Sequence, residues 1–322
     1  SLTGESPMNE NNKKILRRRR FLQAATVTAA TGISLAAWTA RKAEGPSLVI
    51  LHTNDTHSYL EPFPKDHSRF PGLGGAARRA ALIKQVRENH PNVLLLDSGD
   101  IFQGTPYFNL FGGEIEFKVM SAMKYDVATL GNHDFDSGVE GLVKQMPLAN
   151  FEFVSANYDV KGSLLEPYVR PTTTRQFGDL KIGIFGLGIE LSGLVLQDLY
   201  RGVSYQDAIL QARTTVEQLR NEGCHFIICL SHLGFRGRGD RVKDVNLAAE
   251  VPGIDVVLGG HSHTFLDEPE IISHPEGSET IIHQVGWAGI RLGRIDVDFS
   301  AEHKPVRKVA GNYQVGRGSL LV

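Results

Sequence analysis

Residues 47–57 read SLVILHTNDTH, an apolar run that ends in Asp55 and His57. A short run of leucine, valine and isoleucine that stops at polar turn residues is typical of a buried strand. Because side chains alternate along an extended chain, an aspartate and a histidine two positions apart project to the same side. A carboxylate and an imidazole are both metal-ligand types. The stretch therefore predicts a strand that delivers a candidate metal site.

The same arrangement recurs four times further along the chain. Four more apolar runs end in GD (99–100), GNHD (131–134), SH (231–232) and GGHSH (259–263). Any one of these stretches could equally be a capped turn or a loop histidine. All five in order, each at the end of a predicted strand, favour a single site instead.

Between these stretches, short apolar runs alternate with amphipathic helical patterns. Strands are predicted over 47–52, 93–96, 127–130, 151–156, 181–187, 226–230 and 254–258, and helices over 74–89, 114–124 and 205–222. Three further strands are predicted over 280–285, 292–299 and 306–309. Strands that alternate with helices predict a largely parallel α/β core, in which ligands bind beyond the carboxyl ends of the strands.

The candidate ligands are carboxylates, imidazoles and one amide, and they include no thiolate. This set excludes a structural cysteine-type zinc site and suits catalytic zinc, manganese or iron. A carboxylate has two oxygens and can bridge two cations about 3.5–4 Å apart, the spacing of two-metal hydrolases. Asp100, flanked by the small residues Gly99 and Gly104, is the natural bridge. We therefore predict two divalent metal ions.

The composition is that of a soluble globular protein, with 41% hydrophobic and 22% charged residues among 322. The formal net charge is −2, but eight of the lysines and arginines lie in residues 1–44, beside only three glutamates. The rest of the chain is therefore mildly acidic. General nucleic-acid binding requires a basic face, so we expect no nucleic-acid partner.

The N-terminal segment has the pattern of an export signal. Residues 21–40 (FLQAATVTAATGISLAAWTA) carry no charge and follow four arginines at 17–20. The sequence RRFL at 19–22 resembles the twin-arginine pattern of proteins that are exported already folded. Twenty uncharged residues could also span a membrane, so an uncleaved N-terminal membrane anchor stays open. We expect an exported protein, either periplasmic or anchored and facing outside the cytoplasm.

These observations divide the chain into two parts. Residues 1–44 are predicted to contain a short remnant before Met8 and the twin-arginine-type signal segment. Residues 45–322 are predicted to form one α/β domain, because no internal repeat, low-complexity tract or linker interrupts them.

The ordered motifs resemble those of the calcineurin-like metallophosphoesterases: Asp-x-His, Gly-Asp, Gly-Asn-His-Asp, a lone strand-end histidine and Gly-His-x-His. The flanking sequences LHTNDTH, GDIFQG, GNHDFD and GGHSH are similar to the 5′-nucleotidase / UDP-sugar hydrolase branch of that family. The resemblance covers nearly all of residues 46–300. It implies a single-domain, four-layer α-β-β-α sandwich and a metal-dependent hydrolase that acts on phosphate esters.

Carried over by position, the resemblance implies a role for each candidate residue. The first metal would be held by Asp55, His57, Asp100 and His263, and the second by Asp100, Asn132, His232 and His261. His133 would be the catalytic histidine, oriented by Asp136, and the two metals would supply a hydroxide for attack on phosphorus. Some members of the branch have another residue type at the position of His263, which leaves zinc, manganese and iron open as the metals.

The resemblance also implies a small-molecule phosphate ester as the substrate, in particular a nucleotide. Full-length 5′-nucleotidases continue into a C-terminal domain that binds the nucleobase, whereas this chain stops at Val322. We therefore expect this domain to act alone or with a separate chain that carries the missing substrate-binding domain. Three alternatives stay open: a cyclic-nucleotide or other phosphodiesterase, a sulfur-ester hydrolase of the thiosulfohydrolase type, and a metal-stabilised interaction module without turnover.

Overall fold

The computed structural model describes residues 44–316 and 320–321. The predicted signal segment and the remnant before it lie outside the described residues, so the division of the chain near residue 45 stays a prediction. Within the described ranges, no helix combines the length and the apolar character that crossing a membrane requires.

Helices and strands alternate through most of the described chain, and its last part is nearly all strand. The strands are β1 (Ser47–Thr53), β2 (Val93–Asp97), β3 (Val127–Ala128), β4 (Glu152–Val154), β5 (Tyr158–Asp159), β6 (Val169–Arg170), β7 (Thr172–Phe177), β8 (Leu180–Leu187), β9 (Ser204–Tyr205), β10 (Phe226–Ser231), β11 (Val256–Leu258), β12 (Glu270–Ser273), β13 (Glu279–His283), β14 (Arg291–Phe299), β15 (Pro305–Gln314) and β16 (Leu320–Leu321). The α-helices are α1 (Ala76–Asn89), α2 (Pro106–Phe111), α3 (Glu114–Ala122), α4 (Gly138–Gln145), α5 (Ala208–Asn221) and α6 (Asp244–Glu250).

Two large sheets contain nearly all of these strands. The first sheet has the order β16-β15-β14-β1-β2-β3-β4-β6 and the second β12-β13-β11-β10-β8-β7, while β5 and β9 form a separate antiparallel pair. β1 pairs in parallel with β2, so that Ile50 lies opposite Leu94, and it pairs antiparallel with β14. In the second sheet β8, β10, β11 and β13 are parallel. Each sheet therefore has an edge at which the carboxyl ends of neighbouring parallel strands meet.

The alternation of side chains along β1 explains why its apolar run is continuous. Leu48 and Ile50 belong to the buried core between the two sheets, together with Phe226 of β10. Val49 and Leu51 belong to the core between the first sheet and the helices α1, α3 and α4. A third core joins the second sheet to α5 and α6. The order helix, sheet, sheet, helix confirms the predicted four-layer α-β-β-α sandwich.

The predicted strands and helices are present, with differences at their ends, but several short elements were not predicted. The helices α2, α4 and α6 have six to eight residues, too few to establish a helical periodicity. The strands β7 and β12 lie at the two edges of the second sheet. The sequence of β7, TTTRQF, contains one apolar residue, since an edge strand needs no continuous apolar face.

Phe226 tests the core between the sheets. Its ring is fully buried and packs edge-to-face against Phe299, with ring centroids 5.6 Å apart. We expect Phe226→Ala to lower the free energy of unfolding by about 3–5 kcal/mol, because it removes buried apolar contacts and leaves a cavity. Urea denaturation followed by circular dichroism measures the loss. The control Leu110→Ala, at a side chain that is 75% exposed, should change stability by less than about 0.5 kcal/mol. Equal losses in the two variants would contradict this core.

Candidate metal centre

The structure brings the predicted ligands from both sheets into one cluster beyond the carboxyl ends of their strands. Strands β1, β2 and β3 of the first sheet lead to Asp55, His57, Asp100 and Asn132, and strands β10 and β11 of the second lead to His232, His261 and His263. Two groups of three among these residues have ligand atoms that all lie within 4.8 Å of one another. The structure therefore brings these side chains together at the strand ends, and their role as metal ligands stays a prediction.

The first group consists of Asp55, His57 and His263. The Nε2 atoms of His57 and His263 are 3.0 Å apart, and Asp55 Oδ1 lies 3.9 Å from the first and 3.3 Å from the second. Asp55 and His57 are buried, whereas the side chain of His263 is 41% exposed. The group is therefore open to solvent on the His263 side.

The second group consists of Asp100, His232 and His261. Asp100 Oδ2 lies 3.1 Å from His232 Nε2, and His261 Nδ1 lies 2.9 Å from Asn132 Oδ1, which adds the predicted amide to the group. Burial and the neighbouring His232 lower the pKa of His261 to about 4. The imidazole of His261 is then neutral near pH 7, as a metal ligand must be.

The two groups adjoin through their carboxylates. Asp100 Oδ2 lies 3.7 Å from Nε2 of His57 in the first group. Asp55 Oδ1 lies 4.0 Å from Nε2 of His232 in the second. Asp100 and Asp55 thus each border both groups, and the bridging role of Asp100 stays a prediction.

The donor set fits two divalent cations. Two ligands that bind one zinc-sized ion at about 2.1 Å lie about 3.0–3.4 Å apart, and several of the pairs above have that separation. His232 Nε2 is buried and makes no well-directed hydrogen bond among the described residues. Burial lowers the pKa of His232, but the Asp100 carboxylate 3.1 Å away outweighs burial and raises that pKa to about 10. A cation bound at this place would replace the proton on Nε2 and take its lone pair, so the buried nitrogen suits a metal ligand. Carboxylate, imidazole and amide ligands suit zinc, manganese or iron.

Backbone carbonyls orient two of the imidazoles. His57 Nδ1 donates to the carbonyl of Phe102 at 3.1 Å, and His232 Nδ1 donates to the carbonyl of Ser98 at 2.6 Å. In the neutral ring such a bond fixes the tautomer, so that Nε2 carries the lone pair. Both histidines are therefore set to bind a cation through Nε2.

Five of the seven predicted ligands have a backbone conformation that is unusual for residues other than glycine. The φ angle is 49° at Asp55, 48° at His57, 55° at Asp100, 69° at His261 and 53° at His263. Residues of this kind persist only where the surrounding structure holds them, and they cluster at functional sites. The cluster is consistent with a site that was assembled at the expense of local backbone strain.

Two glycines of the motifs allow the ligand loops to approach one another. A Cβ atom on Gly131 would lie 2.2 Å from Asp100 Oδ1 and 2.7 Å from His232 Cε1. A Cβ atom on Gly260 would lie 2.9 Å from His232 Nδ1. Neither position accepts a larger residue without moving a ligand, so the close passage expected of the glycine-containing motifs is present.

Asp134 is a structural part of the site to which the sequence analysis assigned no role. Its buried carboxylate accepts hydrogen bonds from the backbone N–H groups of Asp100, Ile101, Phe102 and Gly131. Burial and the Asp100 carboxylate raise the pKa of Asp134 to about 7, while the N–H donors favour its charged form. Asp134 therefore ties the loop after β2 to the loop after β3. Its partners are backbone atoms, and only its place in GNHD could have indicated it.

His133 and Asp136 form a pair at the border of the first group. His133 Nδ1 donates to Asp136 Oδ2 at 2.9 Å, and this hydrogen bond raises the pKa of His133. The His133 ring packs edge-to-face against His57, with ring centroids 5.3 Å apart. The side chain of His133 is 38% exposed. The pairing that the resemblance implies is therefore present, beside the ligands and open to solvent.

Comparisons with known proteins point in the same direction. A family model described as calcineurin-like phosphoesterase matches residues 48–265. A snake venom 5′-nucleotidase of Crotalus adamanteus is 34% identical over 285 residues, which are 82% of this chain and 47% of the relative. A 5′-nucleotidase of Homo sapiens is 35% identical over 273 residues, which are 78% of this chain and 46% of the relative. The chain thus spans about half the length of the curated relatives it matches.

A solved structure supports the same fold. The crystal structure of a 5′-nucleotidase precursor from Thermus thermophilus superposes with a TM-score of 0.74 at 32% identity. The match covers 84% of this chain and 55% of that one. The resemblance stated from the motifs is therefore confirmed, both in sequence and in fold.

Asp134→Asn tests the link between the two ligand loops. We expect the substitution to lower the free energy of unfolding by about 2–4 kcal/mol. The NH₂ group of the new asparagine would face backbone N–H groups that donate to a carboxylate oxygen in the parent, so those donors would lose their acceptor. Urea denaturation with a chelator present measures this loss without any contribution from bound metal. Asp198→Asn, at a side chain that is 80% exposed, is the control and should leave the midpoint unchanged. If the two variants unfold at the same urea concentration, Asp134 does not hold the loops.

Proposed function

Because the chain belongs to the calcineurin-like phosphoesterase family, we propose that it hydrolyses phosphate esters at this cluster. The observation that carries the proposal is the pair of adjoining ligand groups, with the carboxylate of Asp100 between them. Two-metal hydrolases hold their cations about 3.5–4 Å apart, so that both the attacking and the leaving oxygen are stabilised. Two groups that adjoin through a carboxylate support that arrangement.

We assign the cations as the motifs suggest. The first is held by Asp55, His57, Asp100 and His263, and the second by Asp100, Asn132, His232 and His261. When bound, two cations of zinc, manganese or iron would lower the pKa of water and offset charge on the phosphoryl oxygens. The chain contributes two buried carboxylates and a set of oriented imidazoles that hold the ligand atoms in place before binding.

His133 is the residue that we assign to the ester itself. Because Asp136 holds its Nδ1, Nε2 is the nitrogen available to the substrate. A cationic imidazole at this place would stabilise negative charge on the phosphoryl group and donate a proton to the leaving oxygen. An interaction module without turnover has no use for such a pair, so the pair supports an enzyme.

Nucleotides are the substrate class that the relatives support. The names of the two curated relatives specify 5′-nucleotidase activity. We therefore propose that this domain acts as a phosphomonoesterase on nucleoside 5′-monophosphates. Since those relatives are about twice as long as the matched region, a second domain, in the same or a separate chain, is proposed to contribute to nucleobase binding.

The proposed place of action is outside the cytoplasm. Its support is the sequence of residues 17–40, in which four arginines precede an uncharged segment. Export by the twin-arginine route would deliver the domain already folded and loaded with metal. Cleavage of the segment would give a periplasmic protein, and its retention a membrane-anchored one.

Two substitutions separate metal binding from proton transfer. We expect Asp100→Ala to lose both cations, because its carboxylate borders both ligand groups. We expect His133→Asn to keep two cations and to hydrolyse the ester about 10²–10⁴-fold more slowly, which is the size of a general acid–base contribution. Mass spectrometry of bound metal and phosphate release from AMP measure the two effects.

The control for these variants is His303→Asn, in the turn between β14 and β15, which should keep both metal and rate. Loss of metal from His133→Asn would contradict the assignment of His133 as a residue outside the ligand set. A full rate in His133→Asn would contradict its role at the ester.

Four esters distinguish the candidate reactions. The full chain, loaded with manganese or zinc, is given AMP, UDP-glucose, a 2′,3′-cyclic nucleotide and bis(p-nitrophenyl) phosphate. We expect saturable release of phosphate from AMP, and His133→Asn provides the background rate. Preferred cleavage of the 2′,3′-cyclic nucleotide or of bis(p-nitrophenyl) phosphate would indicate a phosphodiesterase instead. No turnover of any ester by a chain that holds two cations would favour the sulfur-ester hydrolase or the interaction module.

A further inference from the structure

Trp287, in the loop between β13 and β14, packs flat against the most exposed of the proposed ligands. Its indole is stacked on the imidazole of His263, with ring centroids 5.6 Å apart and an interplanar angle of 6°. Aromatic pairs favour offset stacking of this kind. The side chain of His263 is 41% exposed, whereas that of Asp55 is 0% exposed and that of His57 is 6% exposed. Within this group, His263 depends most on a neighbour to fix its ring.

Trp287 is itself held in place. Tyr59 and Phe63 meet its ring edge-on, with centroid distances of 5.2 and 6.0 Å. The next residue, Ala288, donates its N–H to the carbonyl of Asp55 at 2.8 Å. The indole is therefore anchored by packing and by a backbone hydrogen bond to a residue that supplies a ligand.

Asn54 adds a second link between the Trp287 loop and the ligands. Its Nδ2 donates to Asp55 Oδ2 and to the carbonyl of Gly286, both at 2.6 Å. Its Oδ1 accepts the N–H of Val285 at 3.0 Å. One amide thus fixes the loop that carries Trp287 relative to the carboxylate of Asp55.

We propose that Trp287 is a positioning residue for the first cation. Its indole holds the His263 imidazole in the orientation that brings Nε2 close to His57 and Asp55. An exposed histidine otherwise samples several rotamers. The conformational entropy that it loses when a cation fixes it reduces the affinity for that cation. The stack orders the ring before the cation binds and covers one of its faces against water. The inference rests on the proposed metal site and makes no use of the substrate.

A double-mutant cycle on the full chain tests whether Trp287 acts through His263. Manganese affinity at each site is measured by competition with a chelator for the parent, Trp287→Ala, His263→Ala and the double variant. We expect Trp287→Ala to weaken one site by about 10- to 100-fold and to leave the other unchanged, as for other groups that orient a ligand. In the His263→Ala background Trp287→Ala should have no further effect, because the ring that it positions is absent.

Two variants control for general damage to the aromatic cluster. Trp287→Phe keeps a ring on His263 and should restore the affinity to within about threefold of the parent value. Phe70→Ala removes a neighbouring ring whose centroid lies 6.3 Å from that of Trp287, and which is not stacked on His263 among the described residues. It should leave both manganese affinities unchanged.

Two results would overturn the inference. The first is equal manganese affinity in the parent and in Trp287→Ala. The second is the same loss in both backgrounds of the cycle, which would mark a general loosening. If the first result came with a higher KM for AMP, the indole would instead be a stacking surface for the substrate. A parent chain that binds two manganese ions and hydrolyses no phosphate ester would defeat the proposed function and leave this inference standing.

The indole also offers a spectroscopic test. The chain has two tryptophans, so Trp38→Phe leaves Trp287 as the only one. Because manganese is paramagnetic, we expect it to quench the emission of Trp287 as the first site fills. The quenching should weaken when His263→Ala is added to Trp38→Phe. Emission that does not respond to bound manganese would contradict the placement of the indole beside the first cation.

Discussion

Two buried carboxylates set the conditions that the rest of the structure has to meet. Asp55 and Asp100 have almost no exposed surface, and their oxygens lie 3.1–4.0 Å from the Nε2 atoms of neighbouring histidines. Two negative charges in a water-excluded place are unfavourable unless positive charge or hydrogen-bond donors compensate them. Without a cation, the His232 ring supplies one positive charge, because Asp100 outweighs burial and raises its pKa to about 10, while burial holds His261 neutral. Cations bound at the two proposed sites would meet this requirement, and the fold supplies the proposed ligands from two sheets at once.

The loops that carry the ligands are held by one another more than by regular structure. The parallel pairing of β1 and β2 continues past both strands, where the N–H groups of Asp55 and His57 donate to the carbonyls of Gly99 and Asp100 at 2.9 and 3.0 Å. The carboxylate of Asp134 then joins the loop after β2 to the loop after β3. These bonds maintain the left-handed backbone at the ligands, because the strain is offset by contacts that would be lost if a loop relaxed.

The sequence could predict the elements whose signal is local. The continuous apolar run of β1 indicates a strand that is buried on both faces, and the polar motif after the run indicates where the strand ends. Residues that act across the fold leave no such signal. Asp134 binds backbone amides of another loop, and Trp287 meets His263 only because β13 and the end of β11 lie side by side. The short helices and edge strands were not predicted for a related reason. Tertiary contacts determine where they form, and their sequences are too short or too polar to show a periodicity.

Exposure divides the site into a fixed half and an open half. Asp55 and His232 are fully buried, whereas the side chains of His133 and His263 are 38% and 41% exposed. These two histidines open the cluster to solvent, and in the proposed function the phosphate of the substrate would enter from their side while the remainder of the molecule stays outside the cluster. The face of the Trp287 indole that packs on His263 is not free to stack on a base. In the proposed function the buried half would bind the phosphate, and recognition of the rest of the substrate would fall to groups that border the open half.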